Sequence, residues 1–461
     1  MKFFFSILFS QCLAVPDLSN VVSLSKTFNS LVITSTSGIG VYDLNSKTVS
    51  TFFSTVNPKH GVLSPDGTRI FYFKNNKDLC YYNIPSHEEF YLTALDFTPE
   101  KLGVGQRSLM IKGSGKQILL DYSGFPIPDS LKERYYNFAS EEVKKPINLP
   151  PILNPNGNLV PFSTVLFDSL SNLIFVGTRG YGVFLYSRMR GIYVDSVILG
   201  LPKVKEIIAC GFKKDTLYLL TQNSLTKLSI NLKSQIYYPT NLKPAENFLA
   251  MDANDSTLFL ISSKGRIYTL WKERIVFENK LDINPSKVFE FKDGKILFQE
   301  GNSIKLMTID GESLMTLNLP SSYEKVKASI TKSGIPILLD GRIFLYQEDS
   351  LFALSEKPNP DERIIDFVAK DDTLWAITFN KLLKITAKET IAYPLPFQEP
   401  EQIIFSKGRH LYIVKGQFFA TFTGEDFKLK SLPLLEGKIL GILLLENQRF
   451  IITTNFVYLC Q

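Results

Sequence analysis

Ile364-Ile365-Asp366-Phe367-Val368, Thr373-Leu374-Trp375-Ala376-Ile377-Thr378, Lys381-Leu382-Leu383-Lys384-Ile385-Thr386 and Thr390-Ile391-Ala392-Tyr393-Pro394-Leu395 follow one another between Ile364 and Pro396. Each run is of strand length, rich in β-branched and aromatic residues, and bounded by Lys, Asp and Asn turns. Four such runs joined by short turns read as an antiparallel meander. The second run has close copies in Asp215-Thr216-Leu217-Tyr218-Leu219-Leu220-Thr221 and Ser256-Thr257-Leu258-Phe259-Leu260-Ile261-Ser262. Looser copies centre on Leu31, Ile70, Leu109, Leu173, Ile296, Ile335, Leu411 and Phe450, at spacings of roughly 37 to 44 residues with one gap of about 64. A meander of about 40 residues cannot bury both faces alone, so successive units must stack face to face. Radial stacking of four-stranded sheets is the β-propeller. A sandwich of hairpins would not require a constant four-strand period. The expectation is an all-β chain: a β-propeller of about eleven four-stranded antiparallel blades, as one large ring or two smaller propellers.

The repeat is interrupted where Pro residues gather. The long gap carries Pro126, Pro128, Pro146, Pro150, Pro151 and Pro155, and a second polar joint is Glu356-Lys357-Pro358-Asn359-Pro360-Asp361. These divide the chain into residues 1–14, a first three blades over 15–122, an insertion or crossing at 123–160, and eight further blades over 161–461, with a possible joint at 356–361. Helical spacing is visible only in Ser130 to Lys145, through Leu131, Tyr135, Phe138 and Val143. The last unit stops after its third strand, Val457-Tyr458-Leu459. Val15 to Leu18, which precede the first full unit, are expected to supply the missing outer strand and so bring the two chain ends into one blade.

Met1-Lys2 is followed by an apolar stretch from Phe3 to about Leu13, and Cys12-Leu13-Ala14 offers small residues where a signal peptidase favours them. The stretch is too short to span a bilayer, which takes about 20 residues. Residues 1–14 therefore read as a secretory signal peptide, and the protein as secreted or periplasmic; the alternative is a first strand of a cytosolic protein. Cys80, Cys210 and Cys460 would remain, scattered among apolar strand residues, which argues against a disulfide framework and against a zinc site. The formal charge of +6 is spread through turns and strand ends, with no basic block of the kind that phosphate backbones require.

Several strings invite an enzymatic reading and fail it. Lys112-Gly113-Ser114-Gly115-Lys116 resembles a phosphate loop, yet Met110 stands where the first Gly is needed and Gln117 where Ser or Thr is; it reads as a tight hairpin. Gly177-Thr178-Arg179-Gly180-Tyr181-Gly182 lies between strands, with no helix start to hold an anion. Glu88-Glu89, Glu141-Glu142 and Asp371-Asp372 read as turn or helix-surface residues. Asp252-Ala253-Asn254-Asp255 lacks the Gly and distal Glu of a calcium loop. His60, His87 and His410 are too far apart to form a motif, and surface positions are expected for the first two. No catalytic residue, metal site or cofactor is assigned.

Leu63-Ser64-Pro65-Asp66-Gly67-Thr68-Arg69-Ile70-Phe71 is similar to the Ser-Pro-Asp-Gly turn of TolB-like and WD-type blades, where a tight turn enters an apolar strand. Asp168 to Phe184, reading Asp-Ser-Leu-Ser-Asn-Leu-Ile-Phe-Val-Gly-Thr-Arg-Gly-Tyr-Gly-Val-Phe, resembles the repeat of two-component-regulator propellers, with Phe175 in place of the usual Trp and Ser171 in place of Gly. These resemblances imply a propeller with an extracytoplasmic, binding role. The expected function is thus a non-catalytic binding or scaffold protein that takes a protein or glycan partner, and not nucleic acid. Its expected surface lies at the broken repeat: Tyr135, Tyr136 and Phe138 of the insertion, with Arg179, Tyr181, Arg188 and Arg190 of the next blade, since aromatics and Arg dominate binding hot spots. Two alternatives stay open: a glycan-active hydrolase or lyase with carboxylates converging at the central channel, and a cytosolic WD-like scaffold.

Overall fold

The computed structural model describes residues 12–460 apart from 144–148, 153–158, 201–205, 214–215, 230–231, 238, 240–241, 244, 254–256, 272–273, 320–322, 324, 355–361, 371, 407–409, 433–434 and 446–447. Among the described residues there are eleven four-stranded antiparallel sheets and one 3-10 turn at Asp129–Leu131, with no helix long and apolar enough to cross a membrane. Each sheet is a propeller blade. The four apolar runs between Ile364 and Pro396 form strands Asp366–Lys370, Thr373–Ile377, Lys381–Ile385 and Thr390–Pro394, paired in chain order. The second strand is the most buried, and the outermost alternates between half-buried and exposed residues.

Alternate residues of one blade feed two different cores, as the period of two along a strand requires. Leu374, Ala376 and Ile385 pack with Leu338 and Ile343 of the preceding blade, whereas Ile377 and Leu382 pack with Ile403, Leu411 and Phe422 of the following one. The repeat spacing reappears as polar ties between equivalent positions of neighbouring blades. Lys287 Nζ donates to the Val326 carbonyl and Lys327 Nζ to Asp366, each 39 residues away. The Ile403 N–H donates to the other Asp366 oxygen, 37 residues away.

The blades divide into two compact units. One comprises Ala14–Val204 with Leu228–Gln235 and holds blades 1 to 4; the other comprises the chain up to Leu13, Lys205–Lys227 and Ile236–Gln461. The first unit is thus inserted in sequence within the second. The second runs from the inner strands of blade 5 (209–220) through blades 6 (248–280), 7 (287–318), 8 (326–353), 9 (366–394) and 10 (402–431) to blade 11 (439–460). It closes as a seven-bladed ring. The Ile207 N–H donates to Thr454 O at 2.7 Å, and Cys210 Sγ lies where a Cβ on Gly441 would stand. The candidate joint at 356–361 lies outside the described residues.

The outer strand of blade 11 comes from the N-terminal end of the chain, as an unfinished last unit demands. It is Cys12–Ala14 rather than Val15–Leu18. Leu18 belongs instead to the apolar cluster between blades 4 and 1. Cys12 is bonded to Cys460, 448 residues away, a pairing that corrects the expectation of unpaired core cysteines; Cys80 and Cys210 are free. Cleavage after Ala14, as expected for a signal peptide of residues 1–14, would remove this strand together with Cys12, so the disulfide-closed blade requires that residues 12–14 be retained.

In the inserted unit, blade 1 is Val21–Thr27, Ser30–Ser35, Gly38–Asp43 and Thr48–Ser54, and blade 2 is Lys59–Leu63, Arg69–Lys74, Asp78–Asn83 and Glu88–Ala94. Blade 4 is Phe162–Asp168, Leu173–Thr178, Val183–Ser187 and Tyr193–Val197. Blade 3 is built differently. Lys101–Val104, Ser108–Gly113 and Lys116–Asp121 form its body, and its fourth strand, Asn137–Phe138, is innermost. The helix expected from Ser130 is replaced, over the residues described, by this strand, because Phe138 pairs with Gly103 and lays its ring where a Cβ on that glycine would stand.

Blades 1 and 2, 2 and 3, and 4 and 1 are joined by buried apolar clusters. The insertion covers a further face of blade 4, where Leu149, Ile152 and Val160 pack on Ile174, Val176 and Tyr186. Four blades leave a narrow axis, and it is filled by small hydroxyls that satisfy buried backbone groups. Leu24 N–H donates to Ser140 Oγ at 2.7 Å, Ser140 N–H to Leu24 O at 2.6 Å, and Ser25 Oγ to Gly61 O at 2.9 Å. Thr164 Oγ1 donates to Glu141 O at 2.7 Å and accepts from Ser140 Oγ at 2.6 Å.

Candidate functional site

The innermost strand of blade 4 is covered at one end and open at the other. Its N-terminal residues Ser163 and Thr164 are buried on the axis, but Val165, Leu166 and Phe167 are not, and Phe167 is 59% exposed. They border a cleft of about 640 Å3 whose opposite wall is Lys101, Lys112 and Phe138 of blade 3 and whose end is the crossing segment 139–143. Charges in this cleft come as partnered groups. Lys101 is paired with Glu141, Arg179 Nη2 with Glu142 at 3.1 Å, and Lys112 Nζ stands 5.5 Å from the Phe138 ring centroid, within cation–π range.

The insertion is pinned to blade 3 by Glu133. Burial pushes the Glu133 carboxyl up, but hydrogen bonds from Ser108 Oγ and from the N–H groups of Arg107 and Gln106 outweigh it and hold the pKa below the ordinary value. The Tyr136 hydroxyl extends this knot to Ser108 Oγ at 2.8 Å and accepts the Glu133 N–H at 3.1 Å.

A second, smaller cavity of about 370 Å3 opens at the mouth of the four-bladed axis. Its walls include Asn20, Thr36, Lys59, His60, Ser163 and Arg179, and it shares Ser140 and Glu142 with the cleft. His60 corrects the expected surface position. Its ring is largely enclosed, edge-on to Phe73, and burial together with the Lys59 charge lowers its pKa to about 4 against a weaker opposing pull from Glu141, so it is neutral at pH 7. Its Nδ1 and the Ser163 Oγ are buried with no hydrogen-bond partner among the described residues. His87, in contrast, meets the Tyr82 hydroxyl at 3.2 Å.

The residues singled out from the sequence fall in four places. Phe138 lines the cleft and Arg179 the axial cavity, and the two sites adjoin through Ser140 and Glu142. Tyr136 is a tether, while Tyr135 is exposed with Arg134 over its ring. Tyr181 packs with the insertion on blade 4. Arg188 and Arg190 stand exposed in the hairpin before the outermost strand of blade 4 and meet neither cavity. Lys101, Lys112, Phe167, His60 and Ser163 carry no sequence signal for these sites, since each belongs to an ordinary strand pattern. Among the described residues no group of His, Cys, Asp and Glu is placed to hold a metal ion.

No protein-family model and no curated protein matches the chain. Among solved structures it is similar to virginiamycin B lyase from Staphylococcus aureus, at 18% identity over 56% of this chain and 94% of that one, with a TM-score of 0.43. It is also similar to the extracellular domains of BT4673 and BT3049 from B. thetaiotaomicron. Each is 12% identical over 95% of this chain, covering 70% and 74% of those chains, with TM-scores of 0.43 and 0.40.

Proposed function

We propose that this chain is a non-catalytic binding protein acting outside the cytoplasm, and that it takes an extended segment of a partner protein into the cleft between blades 3 and 4. The observation that carries the reading is Phe167, which is 59% exposed in the cleft on the innermost strand of blade 4, with Val165 and Leu166 half-buried beside it. Exposed apolar surface rimmed by charge is the usual signature of a protein-binding surface. Phe138 and Phe167 offer anchors on opposite walls, and the paired Lys101–Glu141 and Arg179–Glu142 supply a rim of both signs, suited to the mixed polarity of a peptide. The Cys12–Cys460 bond supports an oxidising compartment.

The test is site-specific photo-crosslinking in the cell of origin, with the probe at position 167 and a control probe at Leu170, which is fully exposed on the adjacent hairpin. A discrete adduct formed at 167, absent at 170 and lost on Phe138→Ala, is the expected result. For the identified partner, Phe138→Ala should weaken binding by about 30-fold, the loss typical of an aromatic anchor. Adducts of equal yield at both positions would reject the cleft as the recognition surface.

A further inference from the structure

We propose that the cavity at the mouth of the four-bladed axis is a binding site for a sugar acid, a small ligand that carries one carboxylate and several hydroxyls. The inference does not use the apolar wall of the cleft, since Phe167 borders only the cleft, although the two sites share Ser140, Glu142 and the Arg179–Glu142 pair.

Two unpaired polar atoms on residues that line this cavity point to a polar ligand. Ser163 is only 6% exposed, lines this cavity and leaves its Oγ without a partner; His60 Nδ1 is left in the same state. Buried hydroxyls and imidazoles are nearly always hydrogen-bonded, so such atoms in one cavity mark a place where a bound group completes them. Lys59 has no carboxylate partner among the described residues, and Arg179 engages Glu142 through one nitrogen, leaving donors of its planar fork for a second carboxylate. The volume of about 370 Å3 suits a small molecule.

Hydroxyl recognition has its own groups. The Asn20 amide and Thr36 hydroxyl stand together at 3.2 Å on the wall. The cavity continues, through Val22, Thr36 and Lys59, into a groove lined by Asn57, Asn75 and Asn76. All three asparagines have left-handed backbones, with φ of 46°, 51° and 68°, a conformation that Asn tolerates better than most residues. Amide side chains both donate and accept, as a ring of hydroxyls requires.

The experiment uses the full disulfide-bonded chain and D-glucuronate as the probe, with D-glucose as the uncharged control, read by NMR on the three histidine rings. The expected result is a saturable shift of the His60 signals with glucuronate, none with glucose, and none at His87 or His410. Arg179→Gln should weaken binding about tenfold or more, as loss of a charge-assisted contact does. Ser163→Ala should weaken it several-fold. Neither side chain supports the fold through a hydrogen bond other than Arg179–Glu142 on the surface, and a thermal melt of each variant confirms that; Lys59→Gln serves if either fails to fold. Tighter binding of a glucuronyl disaccharide than of the free acid assigns the pocket to a glycan end, and equal binding assigns it to a free acid; both uphold the site. Absence of a saturable His60 shift, an equal response to glucose, or unchanged affinity in the charge variants overturns it.

Discussion

Replacing Cys12 and Cys460 together by serine removes the one covalent link between the ends of the seven-bladed unit. In the chain-entropy treatment a cross-link spanning 448 residues restricts the unfolded chain by about 6 kcal/mol, which is a ceiling. Residual structure in the unfolded chain lowers it, and the range measured for native bridges, about 2–5 kcal/mol, is the expected loss. For a unit of about 250 residues that corresponds to a fall in melting midpoint of roughly 4–10 °C. The chain carries its own reporter. Both tryptophans, Trp271 and Trp375, belong to the seven-bladed unit, and Trp375 packs 5.3 Å from Phe422 between blades 9 and 10. Tryptophan fluorescence therefore follows this unit alone, while far-ultraviolet circular dichroism follows both. The fluorescence transition should move to lower temperature in the double variant, and reducing agent should move the wild type to the same place. A fluorescence midpoint that is identical in oxidised wild type, reduced wild type and variant would refute the reasoning, for it would mean that the strand Cys12–Ala14 contributes nothing to closing blade 11.

Two further outcomes concern the inserted unit. Ser140→Ala leaves the buried Leu24 N–H without its acceptor and Thr164 without its hydroxyl partner; a loss of about 2–3 kcal/mol and much faster exchange of the Leu24 amide are expected, and a change within 0.5 kcal/mol (roughly the scatter of a neutral surface substitution) would contradict the assignment of the axis. His60 has a folded-state pKa near 4 against 6.5 for a free ring, so on acidification the unfolded chain takes up this proton first. Stability is whole above about pH 6.5 and falls as pH drops towards 4, by on the order of 3 kcal/mol from this group. Urea denaturation at pH 7 and pH 4.5 should show that difference in wild type and much less of it in His60→Asn; an equal pH response in both would exclude His60 as its source.

The blades were legible because a meander must repeat its hydrophobic phrase wherever it repeats its strands. Thr373–Ile377, Thr216–Leu220 and Leu258–Ser262 each proved to be the second strand of a blade. The hairpin at Ser114-Gly115 was equally readable, and its residues adopt φ of 49° and 75°. What the pattern could not carry is anything decided by how blades meet. The split into four and seven blades depends on the angle between successive sheets, to which the strand period is blind. Asn137–Phe138 was misread because two residues form too short a strand to show alternation, and Leu131, Tyr135 and Phe138 happen to fall at helical spacing. Cys12 and Cys460 lie at opposite ends of the sequence and become neighbours only when the ring closes. The same reason hides the axial cavity: Lys59, His60, Ser163 and Arg179 come from two different blades, and none stands in a motif.

The division of the chain has a consequence for its synthesis. The four-bladed unit is nearly contiguous and its ends are tied early, with Leu18 N–H donating to Leu199 O and Asp17 bridging Gly200. It has all but its short 228–235 segment once Val204 has emerged. The seven-bladed unit has no such option. Its Cys12–Ala14 strand is made well ahead of the strand it pairs with, Cys12 preceding Cys460 by 448 residues; at about 5–20 residues per second, roughly 20 to 90 seconds pass between the two. Throughout that interval the nascent chain carries a short unpaired strand and a free thiol, held in reserve while the rest of the protein is built between them.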